Sequence, residues 1–413
     1  MSDRAKKIIF IIVFIALTLI LGYLLYYLFL RPTIEPGAPL NAVNEGIVNG
    51  LPSAGANLNR PIYINVNGKL VPAQNVPTAA PSGAAAVANG GLTRVTSLAS
   101  GPASSAVPSA DGNGIVYYNP GDGKFYRVER AGVAIALDDK VFSNVQTVTW
   151  SPQRDKVVLE YPDGANIVYN FTNKKQVTLP KQWKDFAFSP NNDQLVFKNW
   201  TVDEADRYLS TANDDGSGFR RIETLGAQDE NVHVDWSPNQ QIIATFNESI
   251  NLEQQYLYFI GQNKERFNVS IIEGRDFRQR WAPDGNRLLY SVYHSATNLN
   301  PSLWIVDAAG DSIGANRTPL NIQTWADKCT FADTNTVYCA VPKQLERGSG
   351  LVPEYAAGVP DDFYRIDLTN DTTALLAVPE GEYNGQNLVV SQDGGTLSFV
   401  DTFSGTLQQI KLK

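Results

Sequence analysis

The amino-acid sequence predicts an all-β fold: a seven-bladed β-propeller preceded by a single transmembrane helix and a flexible linker. Three observations carry that prediction. There is an uncharged apolar run near the amino terminus, then a stretch almost without bulky side chains. One turn-and-strand unit then recurs seven times over the rest of the 413 residues.

The apolar run spans Ile8 to Leu30, IIFIIVFIALTLILGYLLYYLFL. A helix of that length, at about 1.5 Å per residue, covers the roughly 30 Å hydrocarbon layer. A cleaved signal peptide would have an apolar region of about 7–15 residues and a small-residue cleavage site. This run is longer and continues into Leu-Phe-Leu-Arg-Pro, so the sequence favours an uncleaved anchor. Arg4, Lys6 and Lys7 precede it, which keeps residues 1–7 cytoplasmic and exports the remainder. Tyr23, Tyr26, Tyr27 and Phe29 cluster at its far end, where amphipathic rings favour the membrane–water boundary. Thr18 and Gly22 form a small-xxx-small pair of the kind that lets helices approach, a pattern that is also common by chance.

Residues 31–91 read as a low-complexity linker. The stretch PTAAPSGAAAVANGG is uncharged and nearly without large side chains, so ordering it would cost more entropy than burial returns. One segment differs. Residues 61–72, PIYINVNGKLVP, place β-formers on both sides of Asn67-Gly68, the favoured dipeptide of a type I′ hairpin turn.

From residue 92 to 413 the repeat takes over. Its copies begin at Ser109, Trp150, Phe188, Trp236, Trp281, Phe331 and Val390, at spacings of roughly 40–60 residues, the range of propeller blades. Proline presets φ for a turn, while Ser, Asp and Asn close it through nearby backbone groups. Val, Ile, Leu and Tyr then supply a half-buried strand. The aromatics Trp150, Phe188, Trp236, Trp281 and Phe331 share one repeat position and are expected to pack between blades. The last copy provides three strands, and Leu92–Leu98 alternates as a strand should. It is expected to complete the last blade and close the ring, removing a sheet edge.

The WSPDG-like turn, the apolar strand after it and the second hairpin resemble the TolB/WD-type propeller repeat; residues 207–222, RYLSTANDDGSGFRRI, are similar to its second half. The resemblance covers 92–413 and implies the fold. By analogy it also implies a cell-envelope role, since TolB-like propellers are associated with lipoprotein and peptidoglycan partners.

Cys329 and Cys339 flank the turn of the sixth copy. If Phe331 pairs with Val337, the two cysteines lie directly opposite each other, close enough for a disulfide in an oxidising compartment. Two unpaired core thiols are the alternative.

Chemistry is otherwise sparse. Two His, two Cys and one Met leave little for metal ligation, and the chain beyond residue 31 is more acidic than the total of −8, which argues against nucleic acid. No cofactor, metal or catalytic constellation is expected. Gly216-Ser217-Gly218 lacks the G-x-S-x-G elbow of a hydrolase. His233 and His294 read as surface or core fillers. Asn213-Asp214-Asp215-Gly216 could suit calcium, but a hairpin turn is needed there in any case. The acidic run Asp203, Glu204, Asp206 reads as a solvated loop, and the N-x-S/T triplets, such as that at Asn247, as chance in an Asn-rich chain.

Connections between second and third strands are short in copies one, two and seven. They are long in copies three to six, at 199–206, 247–254, 293–301 and 342–361. Strand alternation places these loops on one face, and Trp200, Tyr293, His294, Leu351, Val352 and Tyr355 are the candidate binding residues. The expected protein is a membrane-anchored extracytoplasmic scaffold for an envelope protein or cell-wall polymer. It would sit in the plasma membrane through residues 8–30, with a cytoplasmic amino terminus and a periplasmic or extracellular propeller. The competing expectations are a lyase or hydrolase with its site in the central channel, and a ligand-sensing ectodomain.

Overall fold

The computed structural model describes residues 83–413 apart from Arg130, Ala131 and Arg266, together with the backbone of two strands, Tyr63–Val66 and Lys69–Pro72. Those two strands pair antiparallel with Val66 opposite Lys69, so the pairing brackets Asn67-Gly68. The segment 8–30 lies outside the described residues. Among the described residues, no helix is long and apolar enough to cross a membrane.

Residues 96–411 form seven antiparallel sheets in a ring, the seven-bladed propeller. Blade 1 holds Ser104–Pro108, Gly114–Asn119, Lys124–Glu129 and Ala134–Ala136. Blade 2 holds Thr147–Trp150, Lys156–Glu160, Asn166–Asn170 and Gln176–Leu179. Blade 3 holds Trp183–Phe188, Gln194–Asn199, Tyr208–Asn213 and Arg220–Thr224. Blade 4 holds Val232–Val234, Ile242–Ser249, Gln254–Gly261 and Ser270–Glu273. Blade 5 holds Arg275–Trp281, Arg287–Tyr293, Pro301–Asp307 and Thr318–Pro319. Blade 6 holds Cys329–Phe331, Thr336–Pro342, Asp361–Asp367 and Thr372–Pro379. Blade 7 takes Gly385–Val390, Thr396–Asp401 and Thr406–Lys411 from the end of the chain, and Thr96–Pro102 from before blade 1.

That borrowed strand closes the ring as expected, but its register moves the assignment. Gln408 faces Ser97 and Thr406 faces Pro102, so the closing strand is Thr96–Pro102 rather than Leu92–Leu98. Leu92 and Thr93 instead run parallel to Val378 and Pro379 on the outer edge of blade 6. One segment therefore clamps two blades and covers the edge that the last strand would leave open.

The core is divided among the seams. Each buried apolar cluster joins two adjacent blades, and the seventh, containing Leu98, Ile115, Val389 and Leu407, joins blade 7 to blade 1. The repeated aromatics fill these seams as expected. Trp150, Phe188, Trp236 and Trp281 are buried, each against the preceding blade, and Phe331 packs more peripherally against the seam of blades 5 and 6. Trp150 also donates from Nε1 to the Ser105 carbonyl of blade 1 at 2.9 Å.

The turn after each first strand has a recurrent latch. The hydroxyls of Ser109, Ser151, Ser189, Ser237 and Ser391 accept from the N–H five residues ahead, at 2.9–3.1 Å. Each donates in turn to an Asp or Asn of the same turn, such as Asp155 at 2.8 Å and Asn239 at 2.7 Å. Blades 5 and 6 carry Ala282 and Ala332 at the equivalent position and lack the hydroxyl.

Cys329 and Cys339 form a disulfide and face one another in the blade 6 ladder, buried in the seam with blade 5.

Candidate functional site

The first strands of neighbouring blades contact one another and so line the axis of the ring. In blades 1, 3, 5 and 7 the first strand carries a one-residue bulge against the second. The bulged residues Ser105, Asp185, Asp276 and Asn387 have φ of 50°, 55°, 54° and 49°. Short polar side chains tolerate this left-handed conformation, and a bulge re-aims the side chain it carries. The sequence thus places small polar groups around the axis near the long-loop face.

That face is less loop-like than the spacing implies. In blade 4 both strands extend, Ile242–Ser249 and Gln254–Gly261, leaving only 250–253 as a connection in place of the expected 247–254. The 343–360 segment of blade 6 is not a free flap. Gly350 donates to the Leu299 carbonyl at 2.8 Å and Gly348 to that of Asn298 at 2.9 Å, docking it on blade 5. A Cβ at Gly350 would stand 2.4 Å from Tyr293 Cβ, so only glycine permits that approach. Deeper in, buried Lys328 donates to Asp361 at 2.8 Å and Asn384 at 2.9 Å, and Asn384 donates onward to the Ala356 and Val359 carbonyls. Burial pushes the Asp361 carboxyl up, against the pull of Lys328.

Between these elements lies a cavity of about 530 Å³, lined by Glu230, His233, Asn247, Gln255, Arg275, Asp276 and Tyr293 with Leu252, Glu253, Phe277, Leu299 and Leu351 among their neighbours. Its size falls in the range of small-ligand sites, about 300–1,000 Å³. Three side chains form a chain of bonds in its wall. His233 Nε2 lies 2.7 Å from Asn247 Oδ1, and Asn247 Nδ2 donates to Gln255 Oε1 at 2.8 Å. Burial lowers the His233 pKa, favouring the neutral imidazole. Gln255 Nε2 and Arg275 Nε are buried without a hydrogen-bond partner. Glu253 accepts from the Ser295 N–H, a bond that holds its carboxyl below the usual range.

The six residues expected to bind separate into groups. Tyr293 and Leu351 line the cavity together. Leu351 is 57% exposed and Tyr355 52%, beside it on the blade 6 segment. Val352 and His294 are half-buried and act in the loop scaffold, Val352 N–H donating to the Gly348 carbonyl and His294 carbonyl accepting from Thr297 and Leu299. Trp200 is no free platform: Lys184 Nζ lies 4.1 Å from its ring centroid and the Arg207 guanidinium 4.8 Å.

The structure gives positions to residues the spacing left without one. His233, read as a filler, is part of the cavity wall. Asn247, read as part of a chance triplet, is its central link. In the hairpin turn expected at 213–216, the Asp214 carboxylate pairs with Lys156 at 2.6 Å and Asp215 accepts from the Ser217 N–H at 2.9 Å. Among the described residues there is no group of three or more His, Cys, Asp or Glu placed to hold a metal ion. Two carboxyls near the axis also went unnoticed in the sequence. Burial pushes Glu160, which accepts from the Asp185 N–H, up to about 7. Asp235, between the first strands of blades 4 and 5, is likewise pushed up to about 7.

Fold and site together define a seven-bladed β-propeller with a recessed cavity of mixed polar and apolar lining in its loop face. No protein family and no curated protein matches the sequence. Solved structures of the same fold do. An oligogalacturonate lyase in complex with manganese is 14% identical, at a TM-score of 0.53 over 74% of this chain and 87% of its own. The β-propeller domain of Cps50 (Swd1) from Myceliophteria thermophila is 10% identical, at 0.53 over 77% and 100%. The oligogalacturonate lyase of Vibrio parahaemolyticus is 11% identical, at 0.51 over 77% and 93%. These likenesses establish the propeller fold.

Proposed function

We propose that the protein is a membrane-anchored, extracytoplasmic β-propeller that binds an envelope protein or cell-wall polymer through its long-loop face. The observation that carries this reading is convergence. Leu252 and Glu253 of blade 4, Tyr293 and Leu299 of blade 5, and Leu351 of blade 6 border one cavity, though 99 residues of sequence separate the first from the last. Recognition commonly resides in loops on a rigid scaffold, and exposed apolar groups at the rim of a polar recess supply contact area. The run 8–30 is the anchor in this reading, and the buried disulfide suits an oxidising compartment.

A biotin ligase fused to the carboxyl terminus of the full chain tests it. The double variant Leu351→Ser, Tyr355→Ser changes only exposed side chains, so it should keep the unfolding midpoint while losing the envelope-specific labelled set. An unchanged set would reject the face. Removing 344–359 outright is unsuitable, because Asn384 loses its carbonyl acceptors and the Asn298 and Leu299 carbonyls lose their donors.

A second reading, catalysis near the axis, draws on Glu160 and Asp235, whose raised pKa values suit proton transfer near neutrality.

A further inference from the structure

The wall of the long-loop cavity holds an incomplete hydrogen-bond chain. Gln255 is 1% exposed, on a strand where its face otherwise carries Leu257 and Phe259. A hydrophobic residue would be expected there; instead a primary amide sits at the cavity with Nε2 unpartnered. A buried polar group left without a bond is costly. The chain His233–Asn247–Gln255 can also be read in either direction, since reversing both amides and the imidazole tautomer preserves every bond. Its free end is then a donor or an acceptor. Arg275 Nε, also buried and unpartnered, adds a donor on the adjoining blade. Tyr293 supplies a ring, and Leu252 and Leu351 stand at the rim. Of the charged residues lining the cavity, Glu230, Glu253 and Asp276 are acidic and only Arg275 is basic.

We infer that this cavity binds an uncharged, hydroxyl-rich ligand, a neutral or N-acetylated saccharide, with Gln255 bonding a sugar hydroxyl. Hydroxyls both donate and accept, which matches a reversible amide chain; sugar rings present an apolar face to aromatic side chains; and the acidic lining disfavours a uronate polymer. The inference rests on the long-loop face being the binding face and names its ligand class.

The test is calorimetric titration of the full-length protein in detergent with three probes: a β-linked glucose hexamer, an N-acetylglucosamine hexamer and a galacturonate hexamer. At least one of the first two should bind, and the third should not at the same concentration. Gln255→Leu should weaken binding by about tenfold, the equivalent of about 1.4 kcal/mol. Because Gln255 is buried, Leu252→Trp provides a second variant: Leu252 is 82% exposed, and the larger ring would obstruct the mouth and abolish binding without disturbing the core. Phe403→Ser, on the short turn of blade 7, should bind as wild type. Failure of both uncharged hexamers overturns the proposal, as does equal binding of the galacturonate hexamer or undiminished binding by Leu252→Trp. The labelling experiment with the Leu351 and Tyr355 variant is separate: if its envelope-specific set is still lost, the face reading stands and only the saccharide class falls.

Discussion

On one face of the propeller, the turns from first to second strand are near copies. Ser151, Ser189 and Ser237 each close their turn on the N–H five residues ahead and pass a proton bond to Asp155, Asp193 or Asn239. On the opposite face, the connections from second to third strand range from the tight turn before Ala165 to the segment 343–360. The latched turns share one bonding pattern, and some also reach the next blade, Asn192 Nδ2 donating to Asp155 at 3.0 Å and Asn239 Nδ2 to the Gly285 carbonyl at 2.7 Å. The loop face leaves Gln255 Nε2, Arg275 Nε and Asp361 Oδ1 buried without partners. Where one bonding pattern recurs, a blade repeats; where it does not, each blade differs.

The largest test of that contrast is Lys328→Met. If the loop face were merely decorative, the change would be mild. Instead it leaves Asp361 buried beside an apolar side chain, and about 3–5 kcal/mol should be lost by denaturant unfolding. The loss should lessen as pH falls and Asp361 takes up a proton. A loss below 1 kcal/mol would show that the two faces are less different than their bonding suggests.

The latch itself is worth less. Ser237→Ala deprives a buried N–H and Asn239 of a partner, so about 1–3 kcal/mol should go. The converse change, Ala282→Ser, offers blade 5 the missing hydroxyl beside Asp284 and should be neutral to slightly stabilising. A large loss from Ala282→Ser would mean that blade 5 packs its turn differently.

A pH-dependent effect concerns Glu160 at the loop end of blade 2. Its folded pKa of about 7 lies above the ordinary carboxylate value of 4.5, so the folded state binds the proton more tightly than the unfolded chain does. The contribution of Glu160 to stability therefore declines as pH rises from about 4.5 to 7 and is level beyond. Glu160→Gln should flatten that part of the profile, measured as unfolding midpoints across pH 4–8. An unaltered profile would place the titration elsewhere.

Most of the ring was legible because its determinants are short-range. Asp/Asn-rich turns, Ser-Pro pairs and alternating Val, Ile and Tyr announce blades wherever they occur, and the opposed cysteines followed from hairpin register alone. Strand closure was legible in kind but not in register, since the alternation of Leu92–Leu98 continues through residues that could serve either edge. The structure gave Leu92 and Thr93 to blade 6 and Thr96–Pro102 to blade 7. The candidate site was half visible. Tyr293 and Leu351 were marked by loop length, whereas Gln255 and Asn247 lie within strands that the spacing treated as loop or ordinary strand. A single signal pointed to Gln255: an amide opening the core-facing series that continues with Leu257 and Phe259.

By itself the sequence determined the number of blades, the residues that fill their seams and the face on which the long loops gather. These depend on periodicity and turn chemistry within some ten residues. Only the tertiary structure decided which polar groups meet: His233 with Asn247 and Gln255, Lys328 with Asp361 and Asn384, Leu252 across from Leu351. Such pairings join separate strands and often separate blades, and their energies depend on burial and on distances that closure of the ring alone sets.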